Sequence, residues 1–372
     1  MLPFKVMRFR RAGDPVVAAF DPTPLLDCTV GTPYTAQVEA SGGIPPYTYA
    51  VTTGALPAGV SLNSSTGAIT GTPSGTATGV TVTVRATDSE GNSDDVTDTI
   101  DVLAAAAPWD YSDLANPPDL WLDDQSSISG GGSNVSQWSD RSGNARHYTE
   151  NTFPPQAVSA VLNGYRVIRF SGSNQHLNGN TAAQGIIDNT AVLWSFIVYK
   201  TNTTDGSGTD RALQTYMDAA GTSTMYLAAA GRSTGKNKPN IAGRRVPADS
   251  ASSLLASAEY PQAWTMLLVS EDFQNRTLDM WINGEHDGQL TGAFGSSGNS
   301  GGGVSAYARI GAGGGSGAAI FLNGDIALLI SGRDTMPDSD EIDKMFGKAA
   351  HYYGLTGLLD GSHPYKTDPP TV

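Results

Sequence analysis

Two carboxyl groups about 5 Å apart are the minimum apparatus of a retaining glycoside hydrolase, and on one strand that means acids at i and i+2. The chain has no Glu-x-Asp-x-Glu run. Its nearest acidic clusters are Asp119 with Asp123 and Asp124, and Glu271 with Asp272. Neither has the spacing, and each reads as the end of a strand. Gly231-Arg232-Ser233-Thr234-Gly235 fits the Gly-x-Ser-x-Gly nucleophile pattern. That pattern needs a helix directly after it, and Lys236-Asn237-Lys238-Pro239 starts a helix poorly. The histidines, His147, His176, His286, His351 and His363, stand apart from other ligands at metal-binding spacing. His351 is placed to face the negative end of a helix. The expectation is no catalytic set, no transition metal and no enzyme activity. Calcium is possible: Asp88, Glu90 and Asn92, with Asp94 and Asp95, put hard oxygen ligands in one turn. They lack the spacing of a calcium loop, and a solvated hairpin is the competing reading.

Binding chemistry is more visible. Arg232, Lys236, Lys238, Arg244 and Arg245 make residues 231–245 basic in an acidic chain. Such a segment attracts anionic groups, either phosphates and uronates of a surface polymer or an acidic neighbour in a lattice. Tyr307, with Tyr226 and Trp281, could offer stacking faces to a sugar, although a core-facing position is the expectation for Trp281. Lys5, Arg8, Arg10 and Arg11 occur with no acid between Met1 and Arg11. This arm either docks on an acidic partner surface in a particle or is a disordered tail.

The elements that would carry these residues are short strands. The chain has 372 residues, with 44 Gly and 21 Pro, which suits many strands and tight turns. Net charge is -14 and the isoelectric point is about 4.6, so nucleic acid and anionic membrane are not expected partners. Cys28 is the one cysteine, so no internal disulfide forms, and it reads as a small buried hydrophobe. No apolar segment approaches a membrane span, and no signal-peptide core is present. Residues 1–28 are expected as an arm, 29–103 as a first domain, 104–108 as an alanine-rich linker, 109–358 as a second domain and 359–372 as a tail. In the first domain Val80 to Ala86 alternates, and seven short strands at this turn spacing predict an Ig-type sandwich. In the second, Tyr165 to Phe170, Leu193 to Tyr199, Trp264 to Val269 and Leu278 to Ile282 alternate, predicting a larger antiparallel sandwich. One helix is predicted over 339–353. Asp338 or Ser339 caps it, Gly354 ends it, and Ile342, Met345, Phe346, Ala349 and Tyr352 share one face.

Ser41-Gly42-Gly43-Ile44-Pro45-Pro46-Tyr47, Leu56-Pro57-Ala58-Gly59-Val60-Ser61-Leu62, Ser65 to Pro73 and Ala86 to Asn92 resemble the cadherin-like Ig repeat of bacterial proteins. The resemblance implies a spacer or weak adhesive module. Trp138 to Asn144, Val167 to Gly172, Trp264 to Val269, Leu278 to Gly284 and Phe321 to Ala327 resemble the concanavalin-A/laminin-G-like family, in a jelly-roll sandwich. The ending around Tyr353-Gly354-Leu355 and His363-Pro364-Tyr365-Lys366 is similar to laminin-G-like proteins encoded by tailed bacteriophages. Those resemblances imply an all-β virion protein, made in the host cytoplasm. It would be a tail fibre, tail accessory or capsid decoration, forming a homo-oligomer with other virion proteins as neighbours. Its outward partner would be a host-surface glycan or protein. A decoration without a ligand, an exported bacterial adhesin and a carbohydrate-active enzyme stripped of its recognisable residues are the alternatives.

Overall fold

The computed structural model describes residues 14–150, 152–202, 212–217, 223–228, 238–246, 249–260, 262–301, 307–313 and 320–372. The chain divides into two compact units between Ala107 and Pro108. No helix among the described residues is long and apolar enough to cross a membrane.

The first unit is two four-stranded sheets. One runs in the order Val17–Asp21, Tyr34–Ser41, Ala68–Gly71, Val60–Leu62. The other runs Cys28–Thr29, Ser93–Leu103, Ala77–Thr87, Thr48–Gly54. Alternation sets the faces: Val82, Val84 and Ala86 enter the core with Val38, Ile69 and Ile100. Thr83 and Thr97 pair on the outside, their hydroxyls 2.9 Å apart. The expected arm of 1–28 is corrected here. Val17–Asp21 pairs antiparallel with Ser41–Gln37, and buried Cys28 pairs parallel with Val102. Acids of the unit fasten this segment: Asp94 accepts from the Ala18 amide at 2.9 Å and Asp98 from the Leu25 amide at 2.7 Å.

The second unit is a sandwich of two antiparallel sheets. Among the described residues one sheet has nine strands, ordered Ile128–Ser129, Gln137–Trp138, Tyr148–Thr149, Leu177–Gly179, Tyr307–Ile310, Ala212–Met217, Ser223–Ala228, Asn240–Gly243, Ser252–Leu255. The other has eight. Seven run Gln156–Leu162, Tyr165–Ser171, Asn323–Arg333, Val192–Thr201, Trp264–Asp272, Thr277–Ile282, Glu285–Thr291, and Leu120–Leu122 also pairs with Asn323–Arg333. The core between them includes Trp138, Phe170, Ile197, Tyr216, Leu267 and Leu329. The expected all-β architecture of an Ig-like sandwich followed by a larger sandwich with one C-terminal helix is therefore present.

The helix spans Ser339–Tyr353 and packs on the outer face of the eight-stranded sheet, where Met345, Phe346 and Ala349 meet Trp194, Phe196, Met266 and Leu268. Asp338 accepts from the Glu341 amide at 2.9 Å, and Glu341 accepts from the Asp338 amide at 3.0 Å, a reciprocal cap. Gly354 closes the helix at φ 69°, the left-handed region that favours glycine. Tyr353, not Tyr352, completes the buried face, while Tyr352 stacks on Tyr165 with ring centres 4.2 Å apart. The expected tail of 359–372 belongs to the unit. Leu359 and His363 are buried, Lys366 Nζ donates to the Thr356 and Leu359 carbonyls, and Pro108 bridges to Thr371.

Candidate functional site: a groove on the outer face of the sandwich

The helix covers only part of that outer face. Along Trp264–Asp272, Met266 and Leu268 lie beneath it, while Ser270 and Asp272 lie beyond it. On the next strand Leu278, Met280 and Ile282 point into the sandwich core, so Asp279 and Trp281 point outward. The result is a groove of about 380 Å³ whose lining includes Ser270, Asp272, Asn275, Asp279, Trp281 and Gln289. Trp281 faces away from the core between the sheets: it is half-buried, packs on the cluster under the helix and also lines the groove.

Cross-strand register fixes the polar groups. Asp279 sits opposite Gln289, whose amide donates to Asp279 Oδ1 at 2.7 Å. Trp281 sits opposite His286, with ring centres 4.9 Å apart, and the imidazole Nε2 lies 3.3 Å from the same Asp279 oxygen. Asp279 Oδ2 receives no hydrogen bond from the described residues, so it is the acceptor the groove offers. Asp272 is filled from within its turn: the Asn275 amide and side chain each donate to it at 2.8 Å. An indole face beside a fixed open acceptor, with Asn275 and Gln289 nearby, suits a ring that carries hydroxyl groups on its edge and C–H groups on its face.

Sequence reasoning passed over Glu285-x-Asp287-x-Gln289, which, like Asp88-x-Glu90-x-Asn92, has two acids at i and i+2. A register shift between Met280 and Trp281 breaks its phase. Glu285 and Asp287 line a separate depression with Tyr260 and Asp360, while Gln289 reaches the groove. Asp287 there accepts from the Ser257 amide and hydroxyl at 2.8 and 2.5 Å. The remaining acids are dispersed as well. Asp119 pairs with Arg146 at 3.1 Å and Asp123 pairs with Arg141. Glu271 lies inside the sandwich, fully buried and without a partner among the described residues. Burial pushes its carboxyl well above the usual 4.5.

Among the described basic candidates, Arg244 and Arg245 meet at Asp249, and Lys238 lies at the other end of the strand between them. Lys238 Nζ donates to the Ser257 carbonyl at 2.6 Å, before the strand Asn240–Gly243. After that strand, Arg244 donates to the Asp249 carbonyl at 3.2 Å, and Arg245 lies 3.7 Å from the Asp249 carboxylate and donates to the Asn299 carbonyl at 3.3 Å. Tyr307 is half-buried, with the Arg309 guanidinium 5.1 Å from its ring centre. Tyr226 is placed by backbone pairing with Thr215 and Ala242. Arg232, Lys236, the Gly231 to Gly235 motif and the arm residues Lys5, Arg8, Arg10 and Arg11 lie outside the described residues.

The calcium candidates form a hairpin lock. The Asp88 carboxylate accepts from the amides of Ile44, Glu90 and Asn92 at 3.0, 3.0 and 2.8 Å, and from the Asn92 side chain at 3.1 Å. The Asn92 side chain first, then those amides, pull its pKa down to about 2. Asp95 faces Arg85 at 2.7 Å and Asp94 serves Ala18, so these acids point to different partners. No group of three or more His, Cys, Asp or Glu side chains converges on a metal position among the described residues.

Residues 15–103 match the family model He_PIG, described as Putative Ig domain. No curated protein sequence matches the chain. Among solved structures, the chain is similar to the CBM40 of the Ruminococcus gnavus IT-sialidase bound to α2,3-sialyllactose, at 15% identity and TM-score 0.36, over 47% of this chain and 94% of that one. It is similar to the binding domain of botulinum neurotoxin DC in complex with rat synaptotagmin II, at 10% identity and TM-score 0.38, over 61% of this chain and 50% of that one. It is also similar to the SAP-like pentraxin of Limulus polyphemus, at 12% identity and TM-score 0.37, over 48% of this chain and 81% of that one.

Proposed function

We propose that this chain is a non-enzymatic recognition protein whose second unit holds a saccharide of a host-surface glycan in the groove at Trp281. The observation that carries the reading is the pairing of an outward indole with a buried, pre-positioned Asp279 carboxylate whose Oδ2 receives no hydrogen bond from the described residues. Catalysis is not part of the proposal. Asp272 has both oxygens filled by Asn275, and the acids nearest in sequence to it and to Asp279 face elsewhere. The Ig-like unit serves as the spacer. The setting proposed is the particle of a tailed bacteriophage, as tail fibre, tail accessory or capsid decoration, on the strength of the sequence resemblance at the C-terminal end and the cationic arm at Lys5 to Arg11.

The test is an array of bacterial surface polysaccharides probed with the full chain, Trp281→Ala and Asp279→Asn. The full chain is expected to bind, and Trp281→Ala to lose at least about thirtyfold, roughly 2 kcal/mol, as for a central aromatic anchor. Unchanged binding by Trp281→Ala overturns the groove, and release of reducing ends overturns the non-enzymatic reading. Absence of all glycan binding favours a ligand-free decoration. Deleting residues 1–11 is expected to lower occupancy on the particle, and normal occupancy removes the arm from the proposal.

A further inference from the structure

A second cleft in the same unit has unused hydrogen-bond donors. It encloses about 60 Å³ and is lined in part by Trp121, Asp123, Gln125, Arg141, Lys348 and Tyr352. Trp121 and Arg141 are locked together. The Arg141 amide donates to the Trp121 carbonyl at 2.9 Å, and the guanidinium carbon sits 4.5 Å from the indole centre. The carboxylate of Asp123 is engaged on both oxygens: Oδ1 accepts from the amides of Gln125 and Ser126 at 2.9 and 2.8 Å, and Oδ2 takes the Arg141 ion pair.

The donors are not full. Arg141 uses one guanidinium N–H on Asp123, and the described residues supply no acceptor for the other four, on a side chain 31% exposed. Lys348 has a 3.6 Å contact with Asp110, a half-buried acid that also lines the cleft, and its ammonium lies 5.8 Å from the Tyr352 ring centre. Trp121 is 8% exposed, and its indole N–H has no partner among the described residues. An aromatic floor beneath surplus donors, with Asp123 held by Arg141 and Asp110 facing Lys348, suits a ligand that brings acceptors.

We propose that this cleft binds a carboxylate, presented by a uronic acid residue of a glycan. A guanidinium held over an indole and on Asp123 offers a positioned fork, which matches the two oxygens of a carboxylate, and the ammonium of Lys348 adds a second positive charge. The cleft admits the carboxylate and its first attached atoms, leaving the pyranose ring against Tyr352 at the rim. The site is separate from the Trp281 groove. Only the choice of a sugar as bearer of the carboxylate rests on the glycan reading above.

The experiment is a chemical-shift titration of the full chain with glucuronate, glucose and acetate, using carboxyl-labelled glucuronate and acetate. Glucuronate is expected to bind at least about tenfold more tightly than either of the others. Arg141→Lys keeps the charge beside buried Asp123 but removes the fork. It is expected to weaken glucuronate about tenfold, and Lys348→Ala, outside the core, about threefold. A purely structural role for Arg141 would lower the melting temperature and leave the glucuronate-to-glucose ratio unchanged. Trp281→Ala is expected to bind glucuronate like wild type, which separates failure of this site from failure of the groove. Equal affinity for glucose, full affinity in Arg141→Lys, or no saturable glucuronate binding at about 10 mM overturns the proposal. Acetate binding as tightly as glucuronate overturns the sugar.

Discussion

The two faces of one strand, Trp264–Asp272, are made from the same alternation and have different fates. Its outer positions pass from Met266 and Leu268 beneath the helix to Ser270 and Asp272 in the open groove. Its inner positions stay enclosed throughout, Leu267 and Val269 with Phe273 just beyond, yet they include Glu271. On the outer face polarity begins where cover ends, as the hydrophobic effect requires. On the inner face a carboxyl group is covered with nothing to bond to, a cost that burial elsewhere must offset. What a strand position tolerates is therefore set by what lies over it, and the groove is the place where sheet and cover part company.

The sharpest way to break the contrast is to remove the cover. Phe346 is fully buried and meets Phe196 edge-on at 5.0 Å. Phe346→Ala is expected to cost about 3–5 kcal/mol in urea unfolding. A loss below about 1 kcal/mol would show that the helix contributes little to that face.

The enclosed face can be probed from the opposite sheet. A Cβ built on Gly243 would stand 2.0 Å from Glu271 Oε1. Gly243→Ala is expected to cost about 1–3 kcal/mol by overpacking. The cost should shrink in a Glu271→Ala background, and purely additive effects in that double-mutant cycle would mean the two residues do not compete for the space.

Glu271 itself sets a sign for pH dependence. Its folded pKa is raised, so the folded chain holds a proton that the unfolded chain releases near 4.5. The stability tied to that proton is fully present below 4.5 and is lost as pH rises towards the folded value. Glu271→Met is expected to gain about 1–2 kcal/mol at pH 8, with less gain as pH falls to 4.5. Denaturant midpoints measured across that range check this, and a gain independent of pH would mean the carboxyl is not neutral when folded.

The smallest effect belongs to the open face. Gln289 is exposed and gives Asp279 one hydrogen bond. Gln289→Ala is expected to stay within about 0.5 kcal/mol of wild-type stability by thermal melting while weakening any ligand that uses Asp279.

Much of this architecture was legible from local pattern. Val82, Val84 and Ala86 alternate as a half-buried strand should, and Asp338, Glu341 and Gly354 mark the helix ends by their chemistry. Val17–Asp21 escaped because Pro15, Pro22 and Pro24 surround it and its pairing partners lie about twenty residues onward. The groove had a readable sign: Asp279 and Trp281 share a parity opposite to Leu278, Met280 and Ile282. Aromatic size argued for the core, and parity argued correctly against it. The cleft had no sign at all. Trp121, Arg141 and Lys348 come from distant segments, and only the sheet and the helix bring them together.

The second unit also closes on itself where it begins. Pro108 bridges to Thr371, and the Trp109 amide donates to the Pro370 carbonyl at 3.0 Å. Tension applied between residues 108 and 371 is thus taken by one short antiparallel contact, and the sandwich behind it carries no load while that contact holds. The contact is pulled open from its end, so its bonds are strained one after another and yield at low force. Mechanically the unit hangs beside a line of pull that runs from residue 108 to residue 371.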